Sequence, residues 1–151
     1  MEPQDLLEMY KENARAFIAA ARSIPENKLN LSASLEEWSA SYVIHHMADA
    51  ELQFGVRYAN ALAEENPPIV PFHEEKFPVG LKYAARSVLV SLAAFEASHN
   101  LNYEILKNSS ADDWNRTSVH PERGQVHLTS LVKLCGSHIG AHIEQLMKSA
   151  E

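Results

Sequence analysis

The chain has one cysteine, Cys135, so no internal disulfide can form. It also lacks any uncharged apolar run of about 18 residues, the length that a membrane-spanning helix needs. The first residues show neither the basic nor the apolar region of a signal peptide. From these absences we expect a cytoplasmic protein with no membrane partner.

Positive charge is scarce and scattered. Against 20 acidic side chains the chain carries 13 basic ones, which gives a formal net charge of -7, and the basic residues form no stripe. We therefore expect no nucleic-acid partner. A length of 151 residues predicts one domain over 1–151, and such a chain buries roughly 70% of its unfolded surface.

What the sequence does have is helical periodicity. Apolar residues recur at three- and four-residue steps in four segments, which predicts an all-α protein. Ser39 and Thr129 are suited to cap the second and fourth helices, and Leu81 and Ala85 fall on the inward side of the third. The predicted ranges are about 6–21, 39–65, 80–107 and 129–148.

Two irregular stretches separate these helices. The segment 66–78 contains four prolines, which predicts a long extended crossover that can let helices two and three run in the same direction. Residues 117–119 and 125–127 flank Pro121 and Gly124, which predicts a short hairpin before helix four. The simplest architecture is a four-helix bundle with a long crossover.

Three histidines lie on apolar helix faces. His138 and His142 are four residues apart, so their rings lie on one side of the predicted fourth helix, and His46 lies on an apolar stripe of the second. Buried imidazoles without a shared partner are costly, because each has two nitrogens to satisfy. Three neutral imidazoles can bind Zn²⁺ or Ni²⁺ and leave a coordination position open.

The pair on helix four is not the motif of the zinc proteases. In that motif, His-Glu-x-x-His, a glutamate follows the first histidine as the general base. Here Ile139 occupies that position. The sequence therefore does not indicate the zinc-protease mechanism.

Several landmarks in order resemble the DinB and YfiT-like superfamily of metal-binding four-helix bundles, and the YfiT-like branch in particular. They are Trp38-Ser39, the tract 45–51, the proline tract 66–72 with Glu74-Glu75-Lys76, His120-Pro121, and the tract 138–145. The resemblance covers about residues 6–146. It implies a divalent metal bound by His46, His138 and His142, and a homodimer.

The resemblance also implies a class of reaction. Known activities in the superfamily are transfer of, or isomerisation with, low-molecular-weight thiols such as bacillithiol, mycothiol and glutathione, and many members are described as metal-dependent hydrolases. Two departures from the YfiT-like pattern, Cys135 one turn before His138 and Glu51 where a histidine is expected, argue against assigning one particular thiol. His45 is expected to be a residue behind the ligands or on the surface.

Two hypotheses follow. In the first, a metal-dependent transferase or hydrolase acts on a small-molecule substrate with a metal-activated thiol or water, and Asp49, Gln145 and His120 are candidates to orient or line the site. In the second, a structural metal links helices two and four in a non-catalytic protein that binds a metal or a small ligand, and Cys135 is a candidate for the fourth metal ligand.

The remaining histidines and the tryptophans have simpler interpretations. His73, His99 and His127 have no partner at ligand spacing, so we expect surface or rim positions. Trp38 and Trp114 are predicted to be packing anchors at segment ends rather than a stacking platform for a substrate.

Overall fold

The computed structural model describes residues 1–32 and 34–151. Within them four long helices dominate, and two short helices and a two-stranded sheet complete the architecture. The helices are α1 (Pro3–Ser23), α2 (Ala40–Ala63), α3 (Phe77–Gly80), α4 (Val88–Lys107), α5 (Ala111–Trp114) and α6 (Leu128–Ser149). The strands are β1 (Thr117–His120) and β2 (Gly124–His127). The predicted all-α four-helix fold is confirmed.

The long helices share one apolar core. Helix α1 packs against α6 and α4, and α2 packs against α4 and α6. Fully buried side chains such as Tyr10, Phe17, Met47, Phe95 and Ile139 fill the space between them. Each buried side chain of this size contributes roughly 1.5–3 kcal/mol to folding, so the core fixes where the polar residues of α2 and α6 must lie.

The helix starts agree with the sequence in one case and differ in two. The Ser39 hydroxyl accepts a hydrogen bond from the Tyr42 amide at 3.3 Å, so this predicted cap is confirmed. The predicted cap Thr129 is wrong, because α6 begins at Leu128 and His127 occupies the cap position without a side-chain hydrogen bond.

The predicted start of the third helix near Gly80 is also wrong. Lys82 has a φ of 53°, a left-handed conformation that interrupts a helix, and α4 begins only at Val88 behind the capping side chain of Ser87. Leu81 and Ala85 consequently lie exposed instead of inward.

The connection between α2 and α4 is held against the hairpin. A bridge joins Pro68 to Val119: the Ile69 amide donates to the Val119 carbonyl, and the Val119 amide donates to the Pro67 carbonyl, each at 2.8 Å. The predicted absence of helix through residue 78 is wrong at its end, because a 3₁₀ turn at Glu74–Lys76 leads into α3. A shared direction of α2 and α4 stays a prediction.

The predicted hairpin is confirmed. Strands β1 and β2 pair antiparallel, with Thr117 opposite His127 and His120 opposite Gly124. Just before β1, the Arg116 side chain donates to the carbonyls of Ala61 at 2.7 Å and Glu64 at 2.9 Å, which satisfies the end of α2. Among the described residues, no helix has the length and apolarity needed to cross a membrane.

Candidate metal centre

The structure brings together the three histidines that the sequence singled out. The Nε2 atom of His138 lies 2.8 Å from Nε2 of His142 and 3.3 Å from Nε2 of His46. One nitrogen from each ring lies within 4.8 Å of the others. Helix α2 supplies His46, and successive turns of α6 supply the other two, so the bundle itself sets this geometry.

The surroundings keep the three rings neutral. Burial, reinforced by the neighbouring imidazoles, lowers the pKa of His46 to about 3, and burial together with His142 lowers the pKa of His138 to about 4. Burial also lowers the pKa of His142. At neutral pH the cluster therefore presents nitrogen lone pairs, the form in which histidine binds a metal.

Gln145 fixes the orientation of one ring. The Nδ1–H of His142 donates to Oε1 of Gln145 at 2.6 Å, which leaves its Nε2 unprotonated and directed at His138. Among the described residues, Nδ1 of His46 and Nδ1 of His138 have no hydrogen-bond partner. Three neutral imidazoles converging on one point fit a divalent cation, because facing lone pairs repel unless a cation or a proton lies between them.

Three further side chains surround His46, and the sequence did not predict them at the site: Glu74, Phe72 and Trp38. Oε2 of Glu74 lies 3.5 Å from Nε2 of His46 on a half-exposed side chain. The Phe72 ring stacks parallel to the His46 ring at 5.9 Å, and the Trp38 ring lies 5.0 Å from it, so Trp38 contributes to the site as well as to packing. Glu74 and Phe72 lie in the irregular connection, where no periodicity indicates which side chain points inward.

A cavity of about 340 Å³ opens beside the histidines. Its lining includes His138, Glu74, Arg57, Arg123 and His120. His120, predicted as a residue of the cavity mouth, does line this cavity, and its Nδ1 accepts hydrogen bonds from the amides of Glu122 and Arg123. The volume suits a small organic molecule.

Asp49 and His45 face a different part of the protein. Asp49 accepts hydrogen bonds from Tyr83 at 2.6 Å and Arg86 at 2.9 Å, so its predicted role of orienting a metal ligand is not supported. His45 is buried, with Nδ1 at 2.7 Å from the Ser91 hydroxyl, and the prediction of a surface position is wrong. The two residues are one helical turn apart on α2: His45 faces Ser91 of α4, and Asp49 faces Tyr83 and Arg86 in the segment before α4.

Cys135 is not part of the histidine cluster. Its sulfur is buried, and it contacts Oε2 of Glu51 at 3.5 Å. The structure therefore does not support Cys135 as the fourth ligand of a closed structural metal site.

Glu51 is the centre of a second polar cluster that the sequence analysis missed. The Tyr10 hydroxyl and the Asn102 amide, the latter at 3.1 Å, donate to the fully buried Glu51 carboxylate. His99, predicted at the surface or rim, is buried instead, with Nδ1 at 3.3 Å from Oε1 of Glu51 but outside hydrogen-bond geometry. Gly55 makes room for this contact, because a Cβ there would lie 2.6 Å from Oδ1 of Asn102.

Comparison with known proteins assigns the arrangement to a family. The model of the DinB superfamily matches residues 9–146. A Bacillus cereus protein named "Putative metal-dependent hydrolase" is 31% identical over 132 residues, which cover 85% of this chain and 76% of that protein. A Bacillus thuringiensis protein of the same type matches equally well.

Two solved structures share the fold. YfiT from Bacillus subtilis, described as a "probable metal-dependent hydrolase with an unusual four-helix bundle topology", superimposes with a TM-score of 0.87 at 20% identity, covering 97% of this chain and 85% of YfiT. A mycothiol-dependent maleylpyruvate isomerase gives 0.81 at 14% identity, covering 97% of this chain and 61% of the isomerase.

Proposed function

The chain belongs to the DinB superfamily, and we propose that it is a divalent-metal-dependent enzyme that joins a small nucleophile to an electrophilic small molecule. The nucleophile that we favour is a low-molecular-weight thiol. The other candidate nucleophile is water, which would make the enzyme a hydrolase. One observation carries the proposal: the nitrogens of three neutral imidazoles converge, and one of these histidines, His138, lines a cavity of about 340 Å³.

His46, His138 and His142 would hold the ion, and zinc and nickel are the metals that three imidazoles favour. A divalent ion there supplies Lewis acidity, which lowers the pKa of a thiol or a water molecule beside it. Three protein ligands leave the centre open, which distinguishes it from a structural zinc site with four. This openness, with the cavity beside it, favours an enzyme over a metal-stapled binding protein.

The chain's own residues divide the remaining work. Gln145 holds the His142 ring, while Phe72 and Trp38 cover His46 and limit the access of water. Oε2 of Glu74 is placed to accept the proton of the thiol or water. The sulfur or oxygen then forms its bond to the electrophilic carbon, and the leaving group departs with the proton that Glu74 returns.

The names of the relatives support a metal-dependent reaction, and the structural neighbour that uses mycothiol supports a thiol as the nucleophile. A homodimer and a cytoplasmic location remain predictions. Light scattering measures the first, and cell fractionation measures the second.

The test combines metal analysis with catalysis. Protein purified without chelators should contain about one zinc or nickel ion per chain and should consume an electrophile faster with a thiol than without one. His46→Ala should lose both properties, whereas His127→Ala, a control at an exposed histidine outside the cluster, should keep both. A wild-type protein that binds no divalent metal would refute the proposal.

A further inference from the structure

Two arginines at the candidate metal centre have no counter-charge. The chain contains six arginines. Four have a carboxylate oxygen within 4.0 Å: Arg15 with Glu12, Arg22 with Glu96, Arg86 with Asp49 and Arg116 with Glu65. Among residues 1–32 and 34–151, Arg57 and Arg123 are the two without such a partner, and both line the cavity beside His138.

Arg57 is fixed in place with unused hydrogen-bonding capacity. Its Nη2 donates to the Val70 carbonyl at 3.2 Å, and its guanidinium lies 5.1 Å from the centre of the Phe54 ring. Its Nε is buried and has no hydrogen-bond partner within the described chain. A buried donor of a charged group without an acceptor is unfavourable, and an anion that pairs with the guanidinium would offset part of that cost.

Arg57 and Arg123 place two positive charges on the lining of one cavity. Burial is the main cause that lowers the pKa of Arg57, Tyr58 and Cys135 act against it, and the charge of Arg123 acts with it. The hairpin turn fixes the backbone of Arg123, because its amide donates to Nδ1 of His120. Two like charges that the fold keeps beside one cavity are stabilised when an anion binds between them.

The other charges of the cavity leave this anion site available. Oε2 of Glu74 lies 3.5 Å from Nε2 of His46, and within the described chain neither Glu74 nor Glu122, the two carboxylates of the lining, has an oxygen within 4.0 Å of a nitrogen of Arg57 or Arg123. The same lining includes apolar side chains such as Ile69, Leu131 and Leu134. The cavity therefore combines two guanidinium groups, apolar surface and one histidine of the candidate metal centre.

We propose that Arg57 and Arg123 bind a carboxylate of the substrate, so that the enzyme acts on a small organic acid. The proposal rests on the function proposed above. The carboxylate belongs either to the thiol or to the electrophile, because both must enter the same cavity. Carboxylate and guanidinium groups pair through two parallel hydrogen bonds, which explains why arginine fits this role better than lysine.

The first experiment needs neither metal nor catalysis. Metal-free protein is titrated with succinate and with the neutral analogue succinamide at low ionic strength, and binding is followed by calorimetry. Wild type should bind succinate at least about 10-fold more tightly than succinamide. R57Q and R123Q should each remove that preference, whereas R15Q, a control at an exposed arginine, should keep it.

R123Q is the decisive variant, because Arg123 lies in an exposed turn and its loss should not disturb folding. Equal affinity for succinate and succinamide in the wild type would overturn the proposal. Full retention of the preference in R123Q would overturn it as well. Absence of metal binding would refute the proposed function and would leave this result standing.

The second experiment assigns the carboxylate in the metal-loaded enzyme. The ratio of kcat/KM for mercaptosuccinate to that for 2-mercaptoethanol is compared between wild type and R123Q, and so is the ratio for iodoacetate to iodoacetamide. A fall of about 10-fold in the first ratio places the carboxylate on the thiol, and a fall in the second places it on the electrophile. Two unchanged ratios would contradict the proposal.

Discussion

Helices α2 and α6 meet at two polar clusters of opposite character. In the metal centre, the Nε2 atoms of three neutral imidazoles face one another around His138. In the cluster around Glu51, the donors Tyr10 and Asn102 surround one acceptor. In the second cluster the chain itself supplies donors to the carboxylate, and only Nδ1 of the neighbouring His99 has no partner in the described chain, whereas the facing nitrogens of the first need a cation or a proton between them. The balance of donors and acceptors, rather than burial, therefore separates a binding site from a structural polar core.

The largest effect is expected when the acceptor is removed from the cluster around Glu51, which we call the closed cluster. Glu51→Ala leaves the buried Tyr10 hydroxyl without its acceptor and leaves the Asn102 amide with only the backbone carbonyl of residue 51, so the free energy of unfolding of the metal-free protein should fall by about 3–5 kcal/mol. Urea denaturation measures it. Glu74→Ala, the control at a half-exposed glutamate, should change it by less than about 0.5 kcal/mol. A loss below about 1 kcal/mol for Glu51→Ala would mean that the closed cluster is not structural.

The matching change in the three-histidine metal centre, which we call the open cluster, should affect metal binding instead of folding. His138→Ala removes one of three nitrogens and should weaken the binding of zinc by more than about 100-fold, because loss of a ligand exceeds the effect of losing a group behind it. The free energy of unfolding of the metal-free protein should change by less than about 1 kcal/mol. Competition with a metal indicator dye measures the zinc affinity, and urea denaturation measures the free energy of unfolding. A large loss of unfolding free energy would show that the open cluster, like the closed one, stabilises the fold.

The sequence predicts the open cluster better than the closed one. The spacing of His138 and His142 is visible along one helix, and His46 stands out on an apolar stripe. Glu51 gives no such signal, because its partners Tyr10 and Asn102 are 41 and 51 residues away and only the tertiary fold brings them together.

The position of Glu74 and the start of α4 could not be predicted for a similar reason, because both depend on irregular backbone that tertiary contacts shape. Glu74 reaches His46 from a turn whose shape depends on the pairing of Pro68 with Val119. The late start of α4 depends on the left-handed conformation of Lys82, which is uncommon for a residue other than glycine. The face of a helix, by contrast, depends on local sequence, and the inward sides of α2 and α6 were predicted, whereas only one of the two predicted caps, Ser39, was confirmed.

Acid should affect the open cluster of the metal-free protein. The pKa of His46 is lowered from 6.5 to about 3, so the unfolded chain binds a proton more readily than the folded one. Stability is then full above about pH 6.5 and is lost as the pH falls toward 3, by at most about 1.4 kcal/mol per pH unit for this histidine.

Between pH 6.5 and 5 the wild type should therefore lose about 2 kcal/mol more than His46→Ala does. Urea denaturation of both proteins across this range measures the difference. Parallel curves for the two proteins would show that His46 does not carry the acid sensitivity.

The smallest effect is expected when the hydrogen bond between His142 and Gln145 is removed from the open cluster. Gln145→Ala frees the His142 ring and should weaken zinc binding by about 10-fold, with little change in stability. Gln125→Ala in β2 is the control and should leave zinc affinity unchanged. Equal affinities of the two variants would show that Gln145 does not orient the ring.

Gly55 restricts the order in which residues of the closed cluster can be substituted during evolution. A side chain at position 55 would collide with Asn102, whose amide reaches Glu51 only because α2 is bare at that point. Mutations at these positions should therefore be accepted in a fixed order: a smaller residue must replace Asn102 before any side chain can appear at position 55. Descendants of this chain that keep Glu51 and Asn102 should also keep the glycine, even though glycine within a helix is less stable than alanine by roughly 1 kcal/mol.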